Sequence, residues 1–223
     1  NGNQRIYEGK DIYRWEMRQF AGLDEKGNSL WYMDRDLTDG EGNVVGVEKV
    51  TTGDATEATQ YLLEKSALPD FTGGLNTTLR WKSLDLTIMT NFQFGGYGYD
   101  YDFSAFSSAN FPMNRLKNYA DAWNPETGKG SAPIWNTNDS NINASSDRFL
   151  ISKIYFNLRN ITLGYRVNQK FVRRIGLSAI DVNFSVNNVC AFSNMRQMLN
   201  YDNTWFASFP TARSYVLGLT LTF

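Results

Sequence analysis

Apolar and polar residues alternate most clearly in the segment Arg213-Ser214-Tyr215-Val216-Leu217-Gly218-Leu219-Thr220-Leu221-Thr222-Phe223. Because side chains alternate between the two faces of a strand, this segment predicts a strand with one apolar face and one small, polar face. Its length fits the ~9–11 residues with which a tilted strand crosses a bilayer. The pattern favours an outer-membrane barrel over a soluble β-protein, with barrel closure assigned to Tyr215, Leu217, Leu219, Leu221 and Phe223.

The composition bounds the class of protein. The chain has 223 residues, of which 42% are hydrophobic and 15% aromatic, with a formal net charge of −1. These values fit one large all-β domain. No apolar run approaches the ~20 residues of a transmembrane helix. The one basic cluster, Lys170 to Arg174, is too short to predict nucleic-acid binding.

The inventory of reactive residues argues against catalysis. Histidine is absent and Cys190 is the single cysteine, which excludes histidine-based triads, histidine-ligated metals and an intrachain disulfide. The acidic residues considered for a metal or catalytic site are Asp34 with Asp36, Asp100 with Asp102, and Asp139 with Asp147. They lack the ordered spacing of a calcium loop and any signature of a glycosidase pocket. We therefore predict no enzyme activity, no metal and no cofactor.

A long hairpin is predicted at residues 71–94, with a tight turn at Lys82-Ser83. We expect odd-numbered residues from Leu75 to Trp81 and even-numbered residues from Leu84 to Phe94 to face lipid. The residues expected to face the lumen are Asn76, Arg80, Asp85, Thr87 and Asn91. The aromatic residues expected at the membrane interfaces are Trp81, Phe92, Phe94, Tyr215 and Phe223.

The next strand, residues 154–167, contains a slip in parity. Its apolar residues are even-numbered before Arg159-Asn160 and odd-numbered afterwards, which predicts a β-bulge there. A further strand covers Ile180 to Val189, and it should pair with the final strand, Arg213 to Phe223.

The connections are asymmetric. Those at 82–83 and 168–178 are short, whereas those at 95–152 and 191–212 are long. Membrane barrels have short periplasmic turns and long extracellular loops, so the C-terminus is expected at the periplasmic side. Five clear strands fall short of the ~8 of the smallest membrane barrel, and an open sheet edge is not tolerated in lipid. Since no secretory signal opens the sequence, we expect the chain to be part of a larger barrel.

Residues 1–70 are predicted to be an extracellular loop region with one or two strands, near residues 11–22 and 29–34. A short helix is predicted at Thr56 to Lys65. Residues 71–223 are predicted to contain the C-terminal barrel strands and external loops, as one fragment of a larger barrel domain.

Several motifs, in order along residues 68–223, resemble the SusC/RagA family of TonB-dependent outer-membrane transporters. They are LPDFTGGL from Leu68, RWKSLDL from Arg80, DAWNPE from Asp121, DRFL from Asp147, LRNITLGY from Leu158 and the ending from Phe209. The resemblance implies the C-terminal part of an antiparallel barrel of ~22 strands, with a plug in the remaining N-terminal portion. It also implies import of glycans or peptides, driven by the TonB system, with a SusD-like surface lipoprotein. The alternative is a structural or adhesive surface β-barrel protein without energised transport.

Aromatic residues in the predicted loops are candidates for contact with substrate or with the lipoprotein. They are Tyr97, Tyr99, Tyr101, Phe103, Trp123, Trp205 and Phe206. The alternative interpretation is that these rings pack loop against loop, because aromatic residues dominate packed interfaces as readily as they line ligand pockets.

Overall fold

The computed structural model describes residues 3–107, 121–135, 141–193 and 212–223. These residues form two compact units. The described residues of the first unit lie within 3–68, 97–107, 121–135 and 141–151, and those of the second within 69–96, 152–193 and 212–223.

The second unit contains one antiparallel sheet of five strands, in which residues 214–222, 179–193, 155–166, 84–94 and 71–81 lie side by side in that order. The strands are β6 (Phe71–Trp81), β7 (Leu84–Phe94), β10 (Tyr155–Arg166), β11 (Ala179–Ser193) and β12 (Ser214–Thr222). All five strands expected from the alternating pattern are confirmed, including the pairing of the final strand with β11.

The β6–β7 hairpin has the predicted tight turn. Trp81 pairs with Leu84, which leaves Lys82 and Ser83 as the turn, and Phe71 pairs with Phe94 at the far end. Lys82 adopts a φ of 55°, a left-handed conformation in which the backbone can reverse within two residues.

The predicted bulge in β10 is confirmed. Leu158 pairs with Thr90 of β7 and Asn160 pairs with Met89, so Arg159 is an extra residue without a counterpart in β7. The odd-numbered apolar residues that follow it therefore remain on the same face as the even-numbered ones before it.

A further irregularity between β10 and β11 leaves no trace in the alternating pattern. Leu158 pairs with Cys190 and Asn160 with Asn187, so Asn188 and Val189 lie opposite Arg159. Relative to β7, β11 has two extra residues, which is a full side-chain period, so its parity is unchanged. Arg213 closes this site by donating hydrogen bonds from Nη2 to the Val189 carbonyl at 2.6 Å and from Nε to the Asn188 carbonyl at 3.4 Å.

The register gives the sheet one continuous apolar face. Cross-strand partners share a face, and the large exposed apolar residues on this one are Phe71, Leu75, Leu79, Trp81, Phe94, Phe156, Leu163, Tyr165, Phe184, Phe192, Tyr215, Leu217, Leu219 and Leu221. Exposure reaches 66% for Trp81 and 75% for Leu217.

The opposite face is polar and cross-linked by side-chain hydrogen bonds. Asn160 donates from Nδ2 to Asn187 Oδ1 at 2.8 Å, and Asn187 donates in turn to Ser214 Oγ at 3.1 Å. The hydroxyls of Thr162 and Ser185 are 2.7 Å apart. The two pairs of charged residues, joined across neighbouring strands, are Arg80–Asp85 at 3.3 Å and Arg166–Asp181 at 2.7 Å. All five residues expected to face the lumen share this face.

The connections follow the predicted asymmetry. Those between β6 and β7 and between β10 and β11 lie at one end of the sheet, and the long ones lie at the other. The predicted basic turn contains a short helix, α2 (Gln169–Arg174), because Asn168 caps it by accepting a hydrogen bond from the Lys170 amide at 2.9 Å. No helix in the described part of the chain is long and apolar enough to cross a membrane.

The first unit has more regular structure than the sequence predicts. Residues 14–66 form the five strands β1 (Arg14–Arg18), β2 (Phe20–Leu23), β3 (Ser29–Thr38), β4 (Val44–Thr52) and β5 (Gln60–Ser66). β1 pairs with β5, and β2, β3 and β4 form a three-stranded sheet. The expectation of one or two strands was therefore too low, because short twisted strands with polar residues on both faces do not produce a clear period.

The helix predicted at Thr56 to Lys65 is wrong. Residues 60–66 are strand β5, in which Leu62 pairs with Glu16 and Tyr61 with Met17 of β1. Leu63 is buried in the same hydrophobic cluster as Trp15 and Met17. Tertiary packing thus overrides the local helical preference.

The region between β7 and β10 is also more ordered than predicted. It contains β8 (Tyr97–Tyr99), α1 (Tyr101–Phe106), a 3₁₀ turn at Asp147–Phe149 and β9 (Leu150–Ser152), which pairs with β8. Their side chains complete a hydrophobic cluster of the first unit that consists of Trp15, Met17, Leu63, Tyr99, Phe103 and Phe149. A segment without alternation can therefore still supply core residues from short elements.

Candidate functional site

Two of the predicted contact residues, Tyr99 and Phe103, lie in the core of the first unit. Their exposures are 5% and 9%, and their rings pack edge-on against Phe149 at centroid distances of 5.8 and 5.5 Å. Burial raises the pKa of the Tyr99 hydroxyl, which donates a hydrogen bond to Ser104 Oγ at 3.1 Å. The interpretation of these two rings as substrate or lipoprotein contacts is therefore corrected: they pack the core.

Tyr97 and Tyr101 retain accessible surface. Tyr97 is half-buried, its carbonyl accepts a hydrogen bond from Trp15 Nε1 at 3.2 Å, and Lys65 Nζ lies 5.3 Å from its ring centroid. Tyr101 is exposed, with its ring 4.8 Å from that of Tyr99. These rings rest on the core, so they remain candidates for contact with another molecule.

Trp123 lies beside a cavity of about 730 Å³ in the first unit. Its backbone N–H donates to the Ala132 carbonyl at 2.8 Å, and its half-buried ring packs against Gly27. The remaining predicted contacts, Trp205 and Phe206, lie outside the described residues.

Sequence reasoning missed a cluster centred on Lys49. The Lys49 ammonium lies 4.3 and 4.4 Å from the ring centroids of Tyr32 and Tyr61, and it donates to Gln19 Oε1 at 2.7 Å. Tyr61 donates to Asp34 Oδ1 at 2.6 Å. Burial, reinforced by this carboxylate, raises the pKa of Tyr61 to about 12. The sequence signal was limited to Tyr32 and Asp34, which are two positions apart and so share a face of β3, and this is too little to identify a cluster.

Several acidic residues have structural roles. Asp100 caps α1 by accepting from the Phe103 amide at 2.8 Å, and Asp147 accepts from the Phe20 amide at 2.8 Å. Asp34 is occupied by Tyr61. No group of three or more metal-binding side chains occurs among the described residues, and Asp139 lies outside them.

Aromatic residues gather at both ends of the apolar face of the sheet. Phe92 lies 5.7 Å from Phe71 and 5.8 Å from Phe94 at the end that carries the long connections. Trp81 and Tyr165 lie at the other end, each paired with Leu84. β6 has 11 residues. With a rise of ~3.4 Å per residue and a tilt of ~40°, it spans a height of about 26 Å, close to the ~25 Å apolar band of outer-membrane barrels.

The residues assigned to barrel closure lie on the apolar side of β12 or just beyond its end. Tyr215 pairs with Val186, Leu217 with Phe184, Leu219 with Val182 and Leu221 with Ile180. Among the described strands, β12 pairs only with β11, and β6 only with β7. Barrel closure through these residues stays a prediction.

The comparisons with known proteins agree with this geometry. No family model matches the chain. It is 24% identical over 97% of its length to TonB-dependent receptor P3 of Formosa agariphila, and 26% identical over 71% of its length to receptor P39 of the same organism. Among solved structures it matches the RagAB peptide transporter with a TM-score of 0.73 and 22% identity, over 99% of the chain. The RagAB peptide importer in its "open-open" state gives a TM-score of 0.71 at 20% identity.

The resemblance to TonB-dependent transporters is confirmed. The chain spans 22% of the length of receptor P3 and 25% of the matched RagAB chain. TonB-dependent receptors are outer-membrane proteins, and the five-stranded sheet has the fold of a segment of their barrel wall. These relatives are receptors and transporters rather than enzymes, in agreement with the prediction of a non-enzymatic protein.

Proposed function

We propose that this chain is the C-terminal wall and part of the extracellular loops of a TonB-dependent importer for nutrient uptake. The carrying observation is the division of the five-stranded sheet into a continuous apolar face and a hydrogen-bonded polar face. In this arrangement the apolar face contacts lipid, and the polar face lines the lumen that the plug fills. The remaining strands, the plug and the segment that contacts TonB belong to the rest of the protein.

The orientation follows from the connections. The end of the sheet with the long connections is extracellular, and the end with the Lys82-Ser83 turn and α2 is periplasmic. β12 then runs inward, so Phe223 lies at the periplasmic side, where it adds an aromatic ring to the interface.

The partner is a SusD-like surface lipoprotein, and the substrate is a glycan or a peptide. One similar solved structure is that of the RagAB peptide transporter, which supports import as the function and peptides as one candidate class of substrate. The half-exposed rings of Tyr97, Tyr101 and Trp123 are the described aromatic residues that such a partner or substrate would contact first.

The test is energised uptake in the native host. Strains that lack either this protein or TonB should lose growth on the same polymeric nutrient and keep growth on its monomer. The purified full-length protein should also carry a lipoprotein in near-equal amounts. An adhesive or structural barrel predicts the opposite pattern, in which loss of TonB has no effect on any phenotype caused by loss of this protein.

A further inference from the structure

We infer that the connection between β10 and β11 is a binding site for the headgroup of an anionic phospholipid. This inference rests on the proposed barrel wall and goes beyond it, because a wall by itself needs only bulk lipid. The connection contains α2 and includes the cations Lys170, Arg173 and Arg174, a basic cluster to which import assigns no role. The chemistry that they would recognise is a lipid phosphodiester.

The backbone of this connection is fixed by hydrogen bonds at both ends of α2. A side-chain cap closes its start. At its end, the Leu177 amide donates to the Val172 carbonyl at 3.3 Å, and the Gly176 amide donates to the Arg173 carbonyl at 3.3 Å. Gly176 has a φ of 78°, so α2 ends in the glycine-terminated arrangement called a Schellman motif. Since Val172 is fully buried, the exposed side chains of α2 project from a preordered support.

Two large apolar side chains of the connection are exposed beside these cations in sequence. Phe171 is 56% exposed and Ile175 is 54% exposed. They are four positions apart, so they share one side of the helix. At ~100° per residue, Arg174 lies about 60° around the helix from Phe171, and Lys170 about 100° in the same direction. The exposed surface therefore passes from apolar to cationic side chains, the pattern with which a helix lies in a membrane interface.

The three cations are not neutralised by the part of the protein that the structure describes. Residues 167–178 include no acidic residue. None of the three side chains forms a hydrogen bond or an ion pair with another described residue. The nearest carboxylate along the chain, Asp181, is paired with Arg166 at 2.7 Å on the polar face of the sheet. Unpaired cations beside a membrane attract anionic lipids, and guanidinium groups donate two parallel hydrogen bonds to phosphate oxygens.

The connection lies where the apolar face of the sheet ends. α2 begins shortly after Tyr165, which marks that end together with Trp81. The neighbouring tight turn is joined to this connection, because the Arg166 amide donates to the Ser83 carbonyl at 2.8 Å. It adds Lys82, whose ammonium lies 4.9 Å from the Trp81 ring centroid. Aromatic rings are enriched at the level of lipid headgroups, so continuity with the apolar face selects a lipid as the occupant.

The experiment is a native mass spectrometry titration of the full-length protein, purified in detergent and stripped of lipid. The two ligands are phosphatidylglycerol, which is anionic, and phosphatidylethanolamine with the same acyl chains, which is zwitterionic. We expect phosphatidylglycerol to bind more tightly by about tenfold or more. Arg174→Gln should weaken its binding about fivefold, the loss that corresponds to ~1 kcal/mol for one cation at an anionic surface. A triple variant with Lys170→Gln, Arg173→Gln and Arg174→Gln should lose the preference.

Two further variants separate the headgroup from the acyl chains. Ile175→Ser should weaken binding of both lipids by a similar factor, because contact with acyl chains does not depend on headgroup charge. Lys26→Gln, which removes an exposed cation of the first unit, should leave both affinities unchanged. Heat-modifiable mobility verifies that each variant is folded. Inorganic phosphate and glycerol 3-phosphate should not displace phosphatidylglycerol, since neither carries an acyl chain.

The inference is overturned if the two lipids bind equally well, or if the triple variant keeps the preference for phosphatidylglycerol. Displacement of phosphatidylglycerol by inorganic phosphate would also overturn it, in favour of a site for a small soluble anion. A triple variant that loses a co-purifying protein and keeps its lipid preference would overturn it in favour of a protein interface. Each of these results leaves TonB-dependent uptake intact. The import function itself fails separately, through a phenotype that does not require TonB.

Discussion

The two units of this chain use the same kinds of apolar residue in opposite ways. In the first unit, Met17 and Phe149 are each 1% exposed and belong to the same buried hydrophobic cluster. In the second, Trp81 and Leu217 point away from the sheet and remain largely exposed. A water-soluble sheet would not leave an apolar surface of this extent uncovered, because exposed apolar patches on soluble monomers are rarely larger than a few hundred Å². The difference fits the proposal that the first unit is in water and that the apolar face of the second contacts lipid.

The largest effect should come from deleting one residue of β7. Because β7 has no bulge, loss of Thr87 moves every later side chain of the strand to the opposite face. Apolar residues then enter the lumen and polar residues enter lipid. We expect little or no folded protein in the outer membrane, measured by heat-modifiable mobility of membrane fractions.

The matched control for that deletion is loss of Arg159 in β10. Because Arg159 is the extra residue relative to β7, its deletion leaves every other side chain of β10 on its present face. Folded protein should persist at a substantial level. Equal loss of both deletion variants would contradict the assignment of the bulge.

Truncating a phenylalanine to alanine should cost several kcal/mol more stability in the first unit than in the second. Phe149→Ala removes a fully buried ring from the first unit and should cost about 3–5 kcal/mol. Phe192→Ala removes an exposed ring from the apolar face of β11 and should cost about 1 kcal/mol or less, because no closed cavity forms. Chemical denaturation followed by limited proteolysis of the first unit measures the first cost. Similar losses of stability in both variants would contradict the assignment of Phe149 to a buried core and of Phe192 to an exposed apolar face.

Two adjacent residues of β7 offer a finer test of the two faces. Ile88 lies on the apolar face and Met89 on the polar face, both midway along the strand. Ile88→Arg should destabilise the folded protein by about 2–4 kcal/mol in bilayers, the cost of arginine at the lipid midplane, whereas Met89→Arg should cost less than about 1 kcal/mol. Urea titration in liposomes gives both values. A larger cost for Met89→Arg than for Ile88→Arg would contradict the assignment of the two faces.

The smallest expected effect is a pH dependence confined to the first unit. The folded pKa of Tyr61 is raised above its ordinary value of 10.0 to about 12. A raised folded pKa means that the contribution to stability is complete below pH ~10 and is lost as the pH rises through ~12. Absorbance titration at 295 nm should show a late-titrating tyrosine that is missing in Tyr61→Phe and shifted towards 10 in Asp34→Asn. An unchanged titration in Tyr61→Phe would reject the assignment.

The sequence predicted the second unit far better than the first. β6, β7, β10, β11 and β12 each expose one face to an apolar environment, so burial imposes a clean period of two on the residues. Even the Arg159 bulge was visible, because one extra residue inverts parity. The two-residue surplus of β11 at Asn188 and Val189 was invisible, since two residues restore it.

The first unit was poorly predicted because its core is assembled from short elements distant in sequence. Tyr99 and Phe103 looked like surface aromatics, since nothing local reveals that Trp15 and Phe149 cover them. Leu63 lies in a segment with helical preference, yet that segment is strand β5, which pairs with β1. Trp123 was recognised as a candidate by residue type alone; its ring packs against Gly27, which is distant in sequence.

The most direct test of the central claim is the accessibility of spin labels on the two faces of the sheet in reconstituted full-length protein. Labels at Leu75, Leu79, Leu86 and Leu217 form the apolar set, and labels at Asn76, Arg80, Asp85, Thr87 and Asn91 form the polar set. We predict that the apolar set is accessible to dissolved oxygen and shielded from a water-soluble nickel chelate, and that the polar set shows low oxygen accessibility. Two sets with indistinguishable accessibility would contradict a barrel wall.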